Sequence, residues 1–477
     1  MGEHRRAQEL LRSALEIWRT LGQRRREGDA LRQLSELIWF LGDTAQATRC
    51  VLDAIATLES EPAGVELARS LQHQGDLAME VHDAETAIDS TGRAIALAEA
   101  CGNQEVLSDA LITLGTVRLI AGDASGWADL HRGLQVALAG GLQKQVASGY
   151  TNLAAMAVSR RQYEQAAGYF QAGLAYCEER DLDVLLPYLL AYRARMRFEQ
   201  GEWNGASEDV ESVLRHPRAT PVTRIPALRT LAHLRVRRGD PDASGPVAEA
   251  RALAGPTPEL QRAGMLALVC AEAAWLAGDT AGVIREVQAV WELARRRRDP
   301  RMNGELAAWL WRAGALELPL AVDIAEPYAH EISGDWRAAA GAWQLLGCPY
   351  EHACVLAWYG AEAEQREALA LLEQLGAAPA ARSLRQRMRT QGIRRIPRGS
   401  HRSTRHNPFG LTRREAEILA LLSDGLRSSL IARRLFLAPK TVEHHISAIL
   451  AKLGVSSRAD AVALLRKHAT DRPAAQP

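Results

Sequence analysis

The residues with the clearest chemical potential lie in the segment 439–453, on one side of an amphipathic helical pattern. Glu443, His444 and Ser447 are neighbours on the polar side of that pattern. A carboxylate accepts a hydrogen bond from the cytosine amino group, whereas imidazole and hydroxyl groups bond to several bases. We therefore expect these three residues to contact base edges in DNA. The residues expected to contact the DNA backbone are Arg433, Arg434, Lys440, Thr441 and Lys452.

The other side of the same segment is apolar, so the segment must pack against neighbouring helices. Its apolar residues follow the helical spacing i, i+4, i+7, i+8 and i+11, and they are Val442, Ile446, Ile449, Leu450 and Leu453. A helix with a packed back and a polar front is what entry into the major groove requires.

Local signals predict four short helices between residues 411 and 468, which together position this face. Thr412 and Glu415 form an S/T-x-x-E capping box, and Pro439 suits the first position of the third helix. A poor cap, Ala438, precedes that proline and costs about 1 kcal/mol of helix initiation. The remaining start and stop signals are Gly425, Ser428 or Ser429, Gly454, and the pair Ser457 and Asp460.

Charge is distributed unevenly along the 477 residues, although the net charge is only +1. Residues 1–381 hold 38 Lys and Arg against 51 Asp and Glu, residues 382–406 hold nine Arg and no acid, and residues 407–477 hold 11 bases and six acids. Because phosphate attracts cations, any nucleic-acid contact is expected in the last hundred residues.

A dipeptide typical of turns recurs through the first part of the chain at intervals of 40, 40, 39, 40, 38 and 39 residues. A glycine in the left-handed conformation can end one helix there, and an aspartate can cap the next. These dipeptides, here called the repeat marks, each lie between two helical stretches, and their first residues are Gly42, His82, Gly122, Arg161, Gly201, Gly239 and Gly278. A small residue often follows five positions later, where helices cross closely: Ala47, Ala87, Ala166, Ala206 and Ser244, with Trp127 and Val283 as exceptions.

The segments before these turns, such as 110–115 and 150–154, resemble the first helix of a tetratricopeptide repeat (TPR). The period alone fits armadillo or HEAT repeats about as well. We expect an all-α, TPR-like solenoid of helical hairpins whose inner groove binds a partner. The tryptophans either line that groove or form the core between repeats, and the core is the preferred interpretation.

The segments LTRRE, IARRLFL, PKTVEHH and KLGVSSRADAV resemble the C-terminal DNA-binding domain of LuxR-type regulators over about 60 residues. The resemblance implies a four-helix helix-turn-helix domain without a wing, which pairs through its last helix on a two-fold operator. It implies base-reading roles for Glu443, His444 and Ser447, and it places His445 beside the core. The family's usual Asn-Lys-Glu is here replaced by the residues 428–430, and its usual Ser by Ala438.

The combination of repeats, arginine-rich linker and LuxR-type domain resembles the C-terminal part of the large ATP-binding LuxR (LAL) regulators. The ATPase module of those proteins is not expected here, because the sequence has no G-x-x-x-x-G-K-[ST] motif and only four lysines. The chain is thus expected to be a truncated descendant or one half of a split regulator. We expect no cofactor and no catalytic or metal site. The scattered cysteines and the lack of a long apolar run predict a cytoplasmic protein without membrane contact.

The sequence therefore predicts a repeat domain at 1–391, irregular from about 317, a basic flexible linker at 392–406, a LuxR-type domain at 407–471 and a disordered tail at 472–477. We expect a transcription regulator, not an enzyme, which binds double-stranded DNA as a homodimer. RNA polymerase and a protein or small-molecule effector in the repeat groove are further expected partners. The alternative is a TPR-like interaction scaffold with a degenerate helix-turn-helix.

Overall fold

The computed structural model of the chain describes residues 2–183, 185–254, 260–297, 299–320, 322–397, 411, 413–455 and 457–470. In this part of the chain the secondary structure is entirely helical, with no strand, as the sequence predicted. Contacts divide it into two compact units, Met1–Ile393 and Arg394–Pro477. Within the described ranges, no helix has the length and hydropathy needed to span a bilayer.

The first unit is a chain of antiparallel helical hairpins. Its helices are α1 (Gly2–Thr20), α2 (Arg24–Phe40), α3 (Thr44–Leu58), α4 (Val65–Glu80), α5 (Ala84–Ala100), α6 (Gln104–Ile120), α7 (Gly126–Ala139), α8 (Gln143–Ser159), α9 (Tyr163–Glu178), α10 (Leu186–Glu199), α11 (Trp203–Arg215), α12 (Pro221–Arg238), α13 (Ser244–Ala254), α14 (Leu260–Ala277), α15 (Thr280–Arg297), α16 (Pro300–Arg312), α17 (Tyr328–Ile332), α18 (Trp336–Leu345), α19 (Pro349–Tyr359), α20 (Glu362–Gln374) and α21 (Ala378–Thr390). Each helix packs on its neighbours in sequence, and the first helices of consecutive hairpins also pack on one another from α2 to α16.

The predicted turns all adopt the left-handed backbone conformation. The φ angle is positive at all seven repeat marks, with values from 56° to 95°. Two marks are not glycine, His82 and Arg161, so the turn geometry is kept at some cost in backbone strain. The repeat predicted from the sequence is therefore confirmed at the level of the backbone.

Helix capping after these turns follows the prediction only in part. The carboxylates of Asp43, Asp83 and Asp279 each accept a hydrogen bond from the backbone N–H three residues later. The positions of Gln162 and Glu202 carry no side-chain cap. After Gly122 and Gly239 the next helix begins later than expected, at Gly126 and Ser244.

The small residues predicted five positions after the repeat marks lie at close helix crossings wherever the second helix of the hairpin begins directly after the turn. Ala47, Ala87, Ala166 and Ala206 are completely buried. Ser244 is exposed instead, because α13 begins at that residue and has not yet reached the crossing.

At the third repeat the crossing is made by Gly126 rather than Trp127. A Cβ atom added at Gly115 would lie 2.5 Å from the Gly126 carbonyl oxygen, so the two helix backbones are in direct contact.

The groove expected along the hairpins is partly filled by later parts of the same unit. The Arg161 guanidinium donates a hydrogen bond to the Tyr328 hydroxyl at 3.1 Å, across 167 residues of sequence. The Tyr163 hydroxyl lies 3.3 Å from Cys348 Sγ, across 185 residues. The short helices α17 to α19 thus contact the turns of earlier hairpins. Trp203, Trp309 and Trp343 are buried, and the other eight tryptophans are half-buried.

In its described residues the second unit has four helices, α22 (Arg413–Ser423), α23 (Ser428–Arg434), α24 (Pro439–Leu453) and α25 (Arg458–Thr470). Its core is small and apolar, formed by Leu411, Ile418, Leu419, Ile431, Ala432, Val442, Ile446, Ile449 and Ala461. Left-handed glycines, Gly425 and Gly454, end α22 and α24 as predicted. The linker residues 398–406, Thr412 of the predicted capping box and the tail 472–477 lie outside the described residues.

Candidate nucleic-acid interface

Helix α24 separates an apolar face from a polar face, as its sequence pattern predicted. Val442, Ile446 and Ile449 are buried in the core of the second unit. Glu443, His444 and Ser447 are exposed on the other face. Pro439 occupies the first helical turn, and Ala438 caps the helix without any side-chain hydrogen bond. The helix therefore depends on packing rather than on its cap for stability.

The residues expected to contact the DNA backbone are also accessible. Arg433, Arg434, Lys440 and Lys452 are exposed, and Thr441 is half-buried. His445 is half-buried beside the core, so it does not share the outer face with His444. Among the described residues, no group of three or more His, Cys, Asp or Glu side chains could hold a metal ion.

Glu443 is held by a second helix, a contact that the sequence analysis missed. The Arg458 guanidinium donates to the Glu443 carboxylate at 2.5 Å and to the Ser428 hydroxyl at 3.0 Å. A hydrogen bond from Ser428 and the charge and hydrogen bond of Arg458 lower the pKa of Glu443. The carboxylate is therefore ionised at neutral pH and has a defined orientation, while the Glu443 side chain remains 50% exposed.

Ser428 was expected to be a candidate cap of α23, but it has a different role. The N-cap residue of α23 is Arg427, which makes no side-chain cap, and Ser428 is the first helical residue. Its hydroxyl accepts the hydrogen bond from Arg458 instead. By contrast, Ser457 caps α25 as predicted, since its hydroxyl accepts a hydrogen bond from the Asp460 N–H at 3.1 Å.

Lys452 also forms an ion pair within the second unit. Its ammonium group donates to the Glu415 carboxylate at 2.6 Å, and the Glu415 side chain is only 7% exposed. The sequence placed Glu415 at the third position of a capping box, a local role, and gave no signal for a partner 37 residues away. Lys452 thus neutralises a buried carboxylate besides any contact with phosphate.

The turn between α23 and α24 presents an unusual side chain. Phe436 has a left-handed backbone, with φ of 53°, and its side chain is 96% exposed. Its neighbours Leu435 and Leu437 pack against the core of the second unit, whereas the Phe436 ring is exposed to solvent.

Residues 410–465 match the family described as "Bacterial regulatory proteins, luxR family". The chain is 45% identical over 64 residues to the DNA-binding transcriptional activator DevR/DosR of Mycobacterium tuberculosis. The matched residues are 13% of this chain and 30% of that protein. Over 52 residues it is 46% identical to the transcriptional regulatory protein DegU of Brevibacillus brevis, covering 11% of this chain and 22% of that protein. Over 58 residues it is 43% identical to the transcriptional regulatory protein LiaR of Bacillus subtilis, covering 12% of this chain and 28% of that protein.

These matches span less than a third of each of those three relatives and 11% to 13% of this chain. Among solved structures, a circular tandem repeat protein aligns with 82% of this chain at 17% identity, but its TM-score is 0.20, too low to define the topology of the repeats. Residues 410–465 of this chain constitute a LuxR-family helix-turn-helix domain.

Proposed function

We propose that this chain is a DNA-binding transcription regulator in which α24 enters the major groove of an operator. Glu443, His444 and Ser447 contact base edges. The DNA backbone is contacted by Arg433, Arg434, Lys440, Thr441 and Lys452.

The observation that carries this proposal is the division of α24 into a buried apolar face and an exposed polar face. A base-reading helix needs side chains that are held from behind and accessible in front. The Glu443 carboxylate meets both requirements, since Arg458 orients it and half of its surface is open to solvent. The relative DevR/DosR is a DNA-binding transcriptional activator, which supports the same assignment.

The repeat unit has a regulatory role in this proposal. It senses a protein or small-molecule signal and controls dimerisation of the chain or access to the DNA-binding domain. A homodimer matches the two-fold symmetry of the operators that helix-turn-helix proteins commonly bind. RNA polymerase is a further candidate partner once the chain is on DNA.

A second candidate function is an interaction scaffold whose helix-turn-helix no longer binds DNA. The observation in its favour is the start of the helix-turn-helix: neither α23 nor α24 has a side-chain cap, and residues 428–430 depart from the family's usual sequence.

Selection of bound sequences from random duplexes, with the full chain as bait, tests the two functions. A regulator enriches a two-fold symmetric motif, and its affinity falls with salt at a slope of about −0.9 per phosphate contacted. A scaffold enriches no motif and retains almost no duplex at moderate salt. The second result would overturn the proposed function.

A further inference from the structure

The first unit contains a cavity between the first helices of four hairpins and the later helices that cover them. Its walls come from α10, α12, α14 and α16 on one side and from α17, α18 and α19 on the other. The cavity has a volume of about 70 Å³ and is open to solvent. Clefts between packed helices are a usual place for a small ligand.

Most charged side chains in the cavity walls already have partners. Arg195 pairs with Glu199 at 2.7 Å. Arg237 pairs with Glu272 at 2.9 Å. These pairs satisfy the rule that a buried charge needs an opposite charge or hydrogen bonds.

Arg229 is an exception. The residue is 8% exposed, its Nε atom has no hydrogen-bond acceptor, and it has no ion-pairing carboxylate in the described part of the chain. Its Nη1 atom donates to the Met265 sulfur at 2.9 Å, a weak acceptor. Burial, and then the charge of Arg195, lower the pKa of Arg229 to about 10, so the guanidinium is still charged at neutral pH.

Other buried donors around the same cavity also lack acceptors among the residues that the structure describes. They are Arg161 Nε, Arg237 Nη1 and Trp343 Nε1, whereas Glu351 Oε2 is an acceptor there without a donor. Among the fully buried side-chain atoms of the described lining, unpaired donors therefore outnumber unpaired acceptors. A ligand that supplies acceptor atoms and negative charge would remove the imbalance.

The remaining wall is aromatic. The rings of Trp275, Trp309 and Trp358 form a mutual edge-to-face cluster with centroids 5.5 to 6.3 Å apart. Such a rigid surface suits a flat or compact apolar group. Glu305 also lines the cavity, and its carboxylate disfavours a ligand that carries more than one negative charge.

We propose that this cavity binds a small organic monocarboxylate, with its carboxylate on Arg229 and its apolar part against the cluster of Trp275, Trp309 and Trp358. The inference rests on the proposed function, because it names the chemical class of the signal that the repeat unit is proposed to sense.

The test uses the full chain and four probes: benzoate, phenylacetate, the neutral isostere benzamide, and inorganic phosphate. Binding is followed by tryptophan fluorescence, because three tryptophans contact the proposed apolar group, and by the shift of the melting temperature. We expect benzoate or phenylacetate to raise the melting temperature and change the fluorescence, and benzamide and phosphate to bind at least tenfold more weakly. Equal binding of benzamide, or no response to either carboxylate, would overturn the proposal.

Arg229→Met separates a ligand-binding role from a structural one. Since the unpaired buried charge destabilises the ligand-free protein, we expect this variant to melt at or above the wild-type temperature and to bind benzoate at least tenfold more weakly. Arg235→Met is the matched control on the same helix, where the guanidinium bonds to Asp242 away from the cavity lining. It should bind benzoate as the wild type does. A marked loss of melting temperature in Arg229→Met, or unchanged binding, would contradict the assignment.

Duplex selection with the same proteins distinguishes failure of this inference from failure of the proposed function. If a DNA motif is enriched and no carboxylate binds, only the ligand assignment is wrong. If benzoate binds and no motif is enriched, the cavity assignment stands and the regulatory function does not.

Discussion

The carboxylate of Glu443 on α24 accepts a hydrogen bond from the guanidinium of Arg458 on α25, at 2.5 Å. The two residues are 15 positions apart and lie on different helices of the same small unit. The contact fixes the direction of a side chain that is otherwise exposed. In the proposed DNA complex it lowers the entropy cost of placing the carboxylate against a base.

Replacing Glu443 by alanine should relax sequence selectivity at one operator position by about 1–3 kcal/mol, because one base-specific acceptor is lost. The measurement is the binding free energy for the four base pairs at each operator position. Asp424→Ala is the control, since Asp424 is an exposed acid beyond the end of α22. Unchanged selectivity at every position would count against a base-reading role for Glu443.

Arg458→Ala should keep the Glu443 carboxylate on α24 but remove the hydrogen bond that fixes its orientation. We expect a loss of selectivity at the same operator position that Glu443→Ala affects, smaller than in that variant, and little change elsewhere. Arg458→Lys should restore part of the selectivity, since an ammonium group can still pair with the carboxylate. The idea fails if the Arg458 variants weaken binding uniformly at all positions, as loss of a phosphate contact would.

Lys452→Met should destabilise the second unit by about 1–3 kcal/mol, because it leaves the buried Glu415 carboxylate without its ammonium partner. Chemical unfolding of the full chain, followed by a probe in the second unit, measures this. Lys440→Met is the matched control, since Lys440 is exposed at the start of α24. It should lower the salt slope of DNA binding by about one without changing stability. Equal stability of the two variants would show that the Lys452 ion pair contributes nothing.

Gly115→Ala should reduce the free energy of unfolding of the repeat unit by about 1–3 kcal/mol, despite the higher helix propensity of alanine. The added Cβ would lie 2.5 Å from the Gly126 carbonyl oxygen and 2.8 Å from the Leu130 nitrogen. Gly92→Ala on α5 has open space around the new methyl group and should stabilise by about 0.5–1 kcal/mol. Thermal unfolding of both variants checks the prediction, and a stabilised Gly115→Ala protein would refute the close crossing of α6 and α7.

The contribution of Asp76 and Asp109 to the stability of the repeat unit should fall as the pH rises from about 4 to 7. Burial raises the pKa of Asp76 from 3.8 to about 7, and burial raises that of Asp109 to about 6. At these two carboxyl groups the folded protein binds more protons than the unfolded chain in this range, so their deprotonation destabilises it. Buried His73, whose pKa is lowered from 6.5 to about 3, acts in the opposite direction, so each variant is compared with the wild type at pH 5 and pH 8. Asp76→Asn should raise the melting temperature at pH 8 relative to that at pH 5 by a few degrees, whereas Asp89→Asn, an exposed acid on α5, should not alter the difference.

The repeat was predictable from the sequence because a hairpin turn is a local structure. Residues such as Gly42 and Asp43 determine backbone conformation and capping within a few positions, and the left-handed φ of Gly42 and the cap by Asp43 both follow. The prediction was wrong for Ser244, because the start of α13 shifts within its loop. A shift of that kind depends on packing that the local sequence does not encode.

The polar face of α24 was also predictable, since the alternation of apolar and polar residues in a helix is read directly from their spacing. The side chains that pair with residues of α24 were not predictable from the sequence. Arg458 reaches Glu443, and Glu415 reaches Lys452, because the helices that carry them pack together across a shared core. No local spacing rule connects residues on different helices.

The sequence by itself determined the helical hairpins, their period and the LuxR-type helix-turn-helix, because these depend on propensities, turns and periodicity over at most a few tens of residues. Only the tertiary structure decided which charges are paired. Arg229 and Arg237 lie eight residues apart on one helix, yet Arg237 forms ion pairs with two carboxylates, whereas Arg229 forms none within the part of the chain that the structure describes. That difference arises from side chains brought together across more than a hundred residues, where packing geometry alone sets the distances.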